Sequence, residues 1–257
     1  MKAKTIMPVL FLAHGSPMNI IEENAFTQML RKTSKALPHP KAIVVVSAHW
    51  VTRGSYVSTD SVNVPQYDFY GFPDPLYRVR YAPQGSPEMA QRIMERLPHI
   101  SGVSYRLDHG AWSVLLHLFP HADIPVIQLS IDRTLSPSEH YALGKALGFL
   151  REEGVLLIGS GNVTHNLREV SFSGDTPVPK WAEQFDSYVA DAVERGDHEA
   201  LIAYEKAGEA ARVAHPSDEH YLPLLYILGA AGADAGRVLF EGFQNGSVSM
   251  RSWCFGG

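Results

Sequence analysis

A single cysteine, Cys254, stands in the 257 residues, so the chain closes no intramolecular disulfide, and a reducing, cytoplasmic setting is expected. No apolar run approaches the roughly 18 residues that cross a bilayer. The longest candidate is residues 221–231, and the N-terminal stretch at residues 8–13 stops at His14 and Gly15, so neither a membrane span nor a secretory leader is expected. Charge of one sign is not concentrated either. The 22 basic residues are scattered and the net charge is -5, which removes the electrostatic footprint of a nucleic-acid or membrane partner. Also missing are a Gly-x-x-x-x-Gly-Lys-Ser/Thr loop, a Gly-x-Gly-x-x-Gly fingerprint and a Gly-x-Ser-x-Gly elbow, and with them three common α/β chemistries.

What is present is an ordinary globular composition, 45% apolar and 19% charged, with no low-complexity linker, so residues 1–257 read as one domain. Apolar runs at residues 8–13, 42–48, 125–131 and 155–159 predict central strands. Helical patterns fall between them at 22–37, 87–97, 112–118 and 137–153. This alternation predicts an α/β fold: a mostly parallel or mixed sheet with helices on both faces and a site at the carboxyl ends of the strands. The alternating residues 76–81 predict a half-exposed edge strand. Further helices are expected at 180–195 and 218–231. Residues 238–240 and 247–250, joined through Gln244-Asn245-Gly246, predict a closing hairpin.

Twelve histidines are too many for one site. His39, His99, His121, His140 and His198 lie in loops, at helix ends or in polar surroundings and read as solvated; His117 reads as helix-surface or satisfied core, and His215 as a turn residue or a pocket wall. His14 differs because it ends a predicted strand and is followed by Gly15-Ser16-Pro17. His49 has the same placement after Ser47-Ala48, with Trp50 as an apolar wall. A third strand ends in Gly159-Ser160-Gly161-Asn162-Val163-Thr164-His165, whose glycines permit close backbone approach. His220 opens a helix behind Ser217, Asp218 and Glu219, with Ser217 an N-cap and Glu219 a reserve carboxylate. His109 precedes another helix, where Asp108 either caps that helix or orients the imidazole. Converging neutral imidazoles without cysteine favour zinc, iron or copper over magnesium or calcium. Tyr67, Phe69, Tyr70, Phe72 and Tyr77 form an aromatic loop that either covers a substrate ring or packs the core.

Taken in order, Leu12-Ala13-His14-Gly15-Ser16-Pro17, Val46-Ser47-Ala48-His49-Trp50, Leu107-Asp108-His109-Gly110-Ala111-Trp112, the Gly159–Asn166 segment, Asp218-Glu219-His220-Tyr221-Leu222-Pro223-Leu224 and Ser249-Met250-Arg251-Ser252 resemble the class III extradiol ring-cleavage dioxygenases, in particular their DOPA 4,5-dioxygenase branch. The resemblance implies a non-haem Fe(II) enzyme, with Zn(II) able to replace iron, that opens a catechol with O2. It implies His14, His49 and His220 as metal ligands, His165 as acid/base or additional ligand, and His109 as a second pocket histidine. Ser16, Trp50 and Tyr221 in the same motifs would touch substrate. An all-histidine shell also suits zinc-bound hydroxide, so a zinc hydrolase on the same ligands is the alternative, and a non-catalytic metal-binding module a third reading.

Overall fold

The computed structural model describes residues 6–173 and 176–257. Residues 1–5, part of the N-terminal segment that the sequence reads as no leader, lie outside them. In chain order the elements are β1 (Val9–Ala13), α1 (Ala25–Ala36), β2 (Ala42–Thr52), β3 (Ser55–Ser58), α2 (Pro87–Arg96), β4 (Ile100–Val103), α3 (His109–Leu118), β5 (Val126–Asp132), α4 (Pro137–Leu147), α5 (Phe149–Glu152) and β6 (Val155–Gly161). They continue with α6 (Lys180–Glu194), α7 (His198–Ile202), α8 (Glu209–Ala214), α9 (Leu222–Ala231), β7 (Gly236–Phe240), β8 (Phe243–Gln244), β9 (Val248–Ser249) and β10 (Ser252–Phe255).

Eight strands form one sheet in the order β4-β3-β5-β2-β6-β1-β10-β7. Its centre, β5-β2-β6-β1, is parallel, while β3, β10 and β7 join antiparallel, so the sheet is mixed. The central strands are buried on both faces, which is why they read as continuous apolar runs. Period-two alternation splits them between two cores: Val9, Phe11, Val44, Val46 and Leu157 pack under α4, α6 and α9, whereas Leu10, Leu12, Ile43, Val45 and Ile158 pack under α1 and α3.

Four expectations change. Residues 76–81 form no edge strand: Pro73 and Pro75 fix the backbone for a 3₁₀ turn over Asp74–Arg78, and the rest is irregular. The helix expected over 137–153 is interrupted at Gly148. Asn245-Gly246 does turn a hairpin, but it joins β8 to β9, because β7 pairs instead with β10. The last long helix begins at Leu222, not 218, so Ser217 is not its N-cap.

Candidate active site

Three chain segments meet above the carboxyl ends of β1, β2 and β6. His14 follows β1 directly and extends its ladder, its N–H donating to the Gly161 carbonyl at 3.2 Å. His49 lies within β2, where the register with β5 slips between Val46 and Val51 and residues 47–50 bulge. A bulge re-aims side chains, and it turns His49 towards His14. His220 sits in the turn before α9 and passes directly over the end of β6. Its carbonyl accepts from Asn162 N–H at 2.9 Å, and a Cβ on Gly161 would lie 2.1 Å from that carbonyl oxygen. The glycines of the Gly159-Ser160-Gly161 run are therefore explained by the backbone that crosses them.

One ring nitrogen from each of His14, His49 and His220 lies within 4.8 Å of the others. Each ring has a partner at Nδ1. His14 Nδ1 is 3.0 Å from Ser160 Oγ, whose hydroxyl donates to the Gly110 carbonyl at 2.6 Å, so the serine oxygen accepts the imidazole N–H. His220 Nδ1 donates to Glu219 Oε1 at 3.1 Å, and His49 Nδ1 is 3.3 Å from Asp68 Oδ2. Protons held at Nδ1 leave lone pairs at Nε2. The Nε2 atoms of His14 and His49 face each other at 3.2 Å, and that of His220 is buried without a hydrogen-bond partner. Two nitrogens bound at about 2.0–2.1 Å to one divalent ion lie about 3.0–3.4 Å apart, so this donor set fits such an ion.

His109 opens α3, which Asp108 caps by accepting from Ala111 N–H at 3.0 Å. Asp108 is otherwise engaged with Ser47 and Gln128, so of the two roles left open for it the cap is the one observed. It is Asp68 that reaches His109: its Oδ1 accepts the His109 backbone N–H at 2.9 Å and lies 2.9 Å from the ring Nδ1, off the axis of a hydrogen bond. The rings of His109 and His49 are 4.0 Å apart, and Phe69 packs its edge on His109 at 5.3 Å. His165 stands outside the converging three. It stacks on His220 at 3.4 Å and groups with Glu219 and His220.

Burial and mutual repulsion among the imidazoles push His14 and His220 well below the ordinary histidine range. Burial, then His49 and His215, lower His165 to about 4, and burial followed by His49 lowers His109. His49 is the exception: burial lowers it, but Asp68 and Asp108 more than offset this. Burial would raise Asp68, yet the His109 and His49 imidazoles beside it hold it well below the usual carboxylate range.

Two of the three expected substrate contacts, Tyr221 and Trp50, are engaged elsewhere. Tyr221 is fully buried among Phe185, Tyr204 and His215, its hydroxyl donating to the Leu201 carbonyl, which leaves it no surface for a ligand. Trp50 alternates away from His49 and stacks on Tyr105 at 4.0 Å. Ser16 accepts from Met18 N–H and ties its own N–H to Gln244. His140, read as solvated, is buried against the Tyr226 hydroxyl; His117 is a satisfied core residue on the Asn19 carbonyl. Asp68 and Ser160 were missed. The only sequence signal for Asp68 is a lone acid inside the aromatic stretch Tyr67–Tyr70.

Residues 7–256 match the family described as the catalytic LigB subunit of aromatic ring-opening dioxygenase, and the chain belongs to that family. Relatives include proteins named 4,5-DOPA dioxygenase extradiol from Escherichia coli K12, 44% identical over 97% of this chain and 95% of the relative, and from Beta vulgaris, 38% identical over 97% of each. A crystal structure of an uncharacterized Escherichia coli K12 protein superimposes with a TM-score of 0.84 at 41% identity, covering 97% of this chain and all of that one. The protein is a metal-dependent extradiol ring-opening dioxygenase. Family membership decides against the hydrolase and non-catalytic readings.

Proposed function

We propose that His14, His49 and His220 hold Fe(II), that His165 and His109 handle protons, and that the substrate is a catechol of the L-DOPA kind. The observation that carries this is the three imidazoles that each have a partner at Nδ1 and of which one ring nitrogen apiece lies within 4.8 Å of the others, the Nε2 atoms of His14 and His49 being 3.2 Å apart. Bound there, Fe(II) would supply open positions for both catechol oxygens and for O2, and Zn(II) would fill the same nitrogens without redox chemistry. His165, its pKa lowered to about 4, is neutral at pH 7 and competent to accept a catechol hydroxyl proton. The proton it takes is available for return as the ring opens, so base and acid can be one residue. His109, held by Asp68 and walled by Phe69, stands 4.0 Å from the His49 ring and 5.9 Å from the His14 ring. The names of the relatives favour DOPA as the catechol. The family match over residues 7–256 and the pairing of β1 with β10 support a single catalytic domain over 1–257. Among the described residues no helix is long and apolar enough to cross a membrane, and the lone, buried Cys254 suits a cytoplasmic setting.

Anaerobic loading with Fe(II), followed by L-DOPA and O2, is expected to give a yellow ring-opened product with matching oxygen consumption. Oxygen uptake with other catechols but not L-DOPA would overturn the substrate assignment; none with any catechol would overturn the whole reading.

A further inference from the structure

Asp68 is placed between a converging imidazole, His49, and its neighbour His109. It comes from the irregular segment after β3, and two aromatic neighbours set its position: Tyr67 packs on Trp112 at 5.6 Å, and Phe69 packs on His109 at 5.3 Å. Its Oδ1 accepts the His109 backbone N–H at 2.9 Å and lies 2.9 Å from His109 Nδ1; its Oδ2 lies 3.3 Å from His49 Nδ1. The ring contacts are off-axis, but their sign is still decided. A ring lone pair that close to a carboxylate oxygen is repelled, whereas an N–H is attracted, so both rings carry a proton at Nδ1.

We propose that Asp68 is a positioning residue: one carboxylate fixes the tautomer of both His49 and His109, leaving each lone pair at Nε2. For His49 that is the atom aimed at His14 Nε2, 3.2 Å away. The proposal rests on the reading of His49 as a metal ligand and adds that ligand and pocket histidine share one orienting group.

The geometry makes an ordering of variants. In Asp68→Asn the amide oxygen keeps the His109 backbone N–H, because an NH2 cannot accept it, and the amide NH2 then faces His49 Nδ1. That ring must accept at Nδ1 and carry its proton at Nε2, where it blocks coordination. In Asp68→Ala, water replaces the carboxylate and both tautomers become accessible. The neutral carboxamide therefore does more harm than the truncation, the reverse of what loss of packing predicts.

The test reads the tautomer directly. Nitrogen-15 long-range correlation spectra of the metal-free protein at alkaline pH, where the imidazoles are neutral, are expected to show His49 and His109 as Nδ1–H in the wild type. They should show His49 as Nε2–H in Asp68→Asn and mixed populations in Asp68→Ala. Zn(II) titration of the same proteins should show affinity lowered on the order of 10–100-fold in Asp68→Asn and less in Asp68→Ala. Wild-type rings protonated at Nε2, an unchanged His49 tautomer in a folded Asp68→Asn, or a larger loss of Zn(II) affinity in Asp68→Ala would each overturn the proposal. If Asp68→Asn does not fold, a pure Nδ1–H population persisting in Asp68→Ala does the same. Failure of the wild type to bind Zn(II) or Fe(II) would instead strike the metal reading, leaving the tautomer result to judge Asp68 by itself.

Discussion

Ser160 stands to His14 as Asp68 stands to His49, except that it uses a relay: it accepts from the imidazole and donates to the Gly110 carbonyl, which fixes the direction of both bonds. Ser160→Ala is therefore expected to release the His14 tautomer and weaken Zn(II) or Fe(II) binding on the order of 10–100-fold with little loss of melting temperature; unchanged affinity in a titration would contradict this. A histidine remote from the site makes a separate prediction. Burial lowers His140 to about 4 against an ordinary 6.5, so between those pH values the unfolded chain takes up a proton that the folded chain refuses. Stability should fall as the pH drops through that window, by up to about 3 kcal/mol from this residue. Denaturant midpoints measured against pH should show a shallower slope in His140→Gln. Neither role is legible in the sequence, since Ser160 reads as one more small turn residue and His140 as one more solvated histidine.

The crossing of β6 by the turn before α9 is the element-scale contact on which His220 depends. A methyl at Gly161 would lie 2.1 Å from the His220 carbonyl oxygen, and backbone cannot yield as a side chain does. Gly161→Ala is expected to destabilise the fold by about 1–3 kcal/mol and to cost metal affinity as well, read by thermal melts and metal titration of the same sample. A normal melt with normal metal binding would show that the crossing is looser than described. A glycine-rich turn after an apolar run is visible in sequence, but the reason for its glycines is a segment some 60 residues away, which no local pattern contains. The same nonlocality misled the reading of residues 76–81. Alternation there mimics a strand, yet no strand edge is offered to it, and two prolines set a 3₁₀ turn instead. His14 and His49 were legible because buried parallel strands announce themselves as apolar runs and ligands gather where such runs stop. The bulge that aims His49 was not, because it depends on register with β5.

At the scale of the whole molecule, the last strands close over the first. β10 pairs with β1, and a polar brace behind the site links α6 to the segment before it: Asp186 binds Arg251 through Nε at 2.9 Å and accepts from Ser249 Oγ at 2.6 Å, while Asn162 and Thr164 donate to the carbonyls of Ser249 and Ser247. The terminal Ser249-Met250-Arg251-Ser252 motif, met first as part of a family pattern, thus acts by holding the His165 turn in place. Asp186→Ala would leave the largely buried Arg251 guanidinium with only the exposed Glu241 carboxylate at 3.2 Å and the Ser249 hydroxyl without its acceptor, and is expected to cost about 1–3 kcal/mol in denaturant unfolding; no measurable loss would mean the brace is incidental. On the proposed function, three imidazoles bind one divalent ion on which ring opening depends. This is tested most directly by titrating metal-free protein with Fe(II) under anaerobic conditions and measuring L-DOPA-dependent oxygen uptake at each point. Uptake is expected to rise in proportion to bound iron, to saturate at one ion per chain and to be abolished together with iron binding in His220→Ala. Uptake that is independent of iron, or that survives in His220→Ala at wild-type rate, would contradict it.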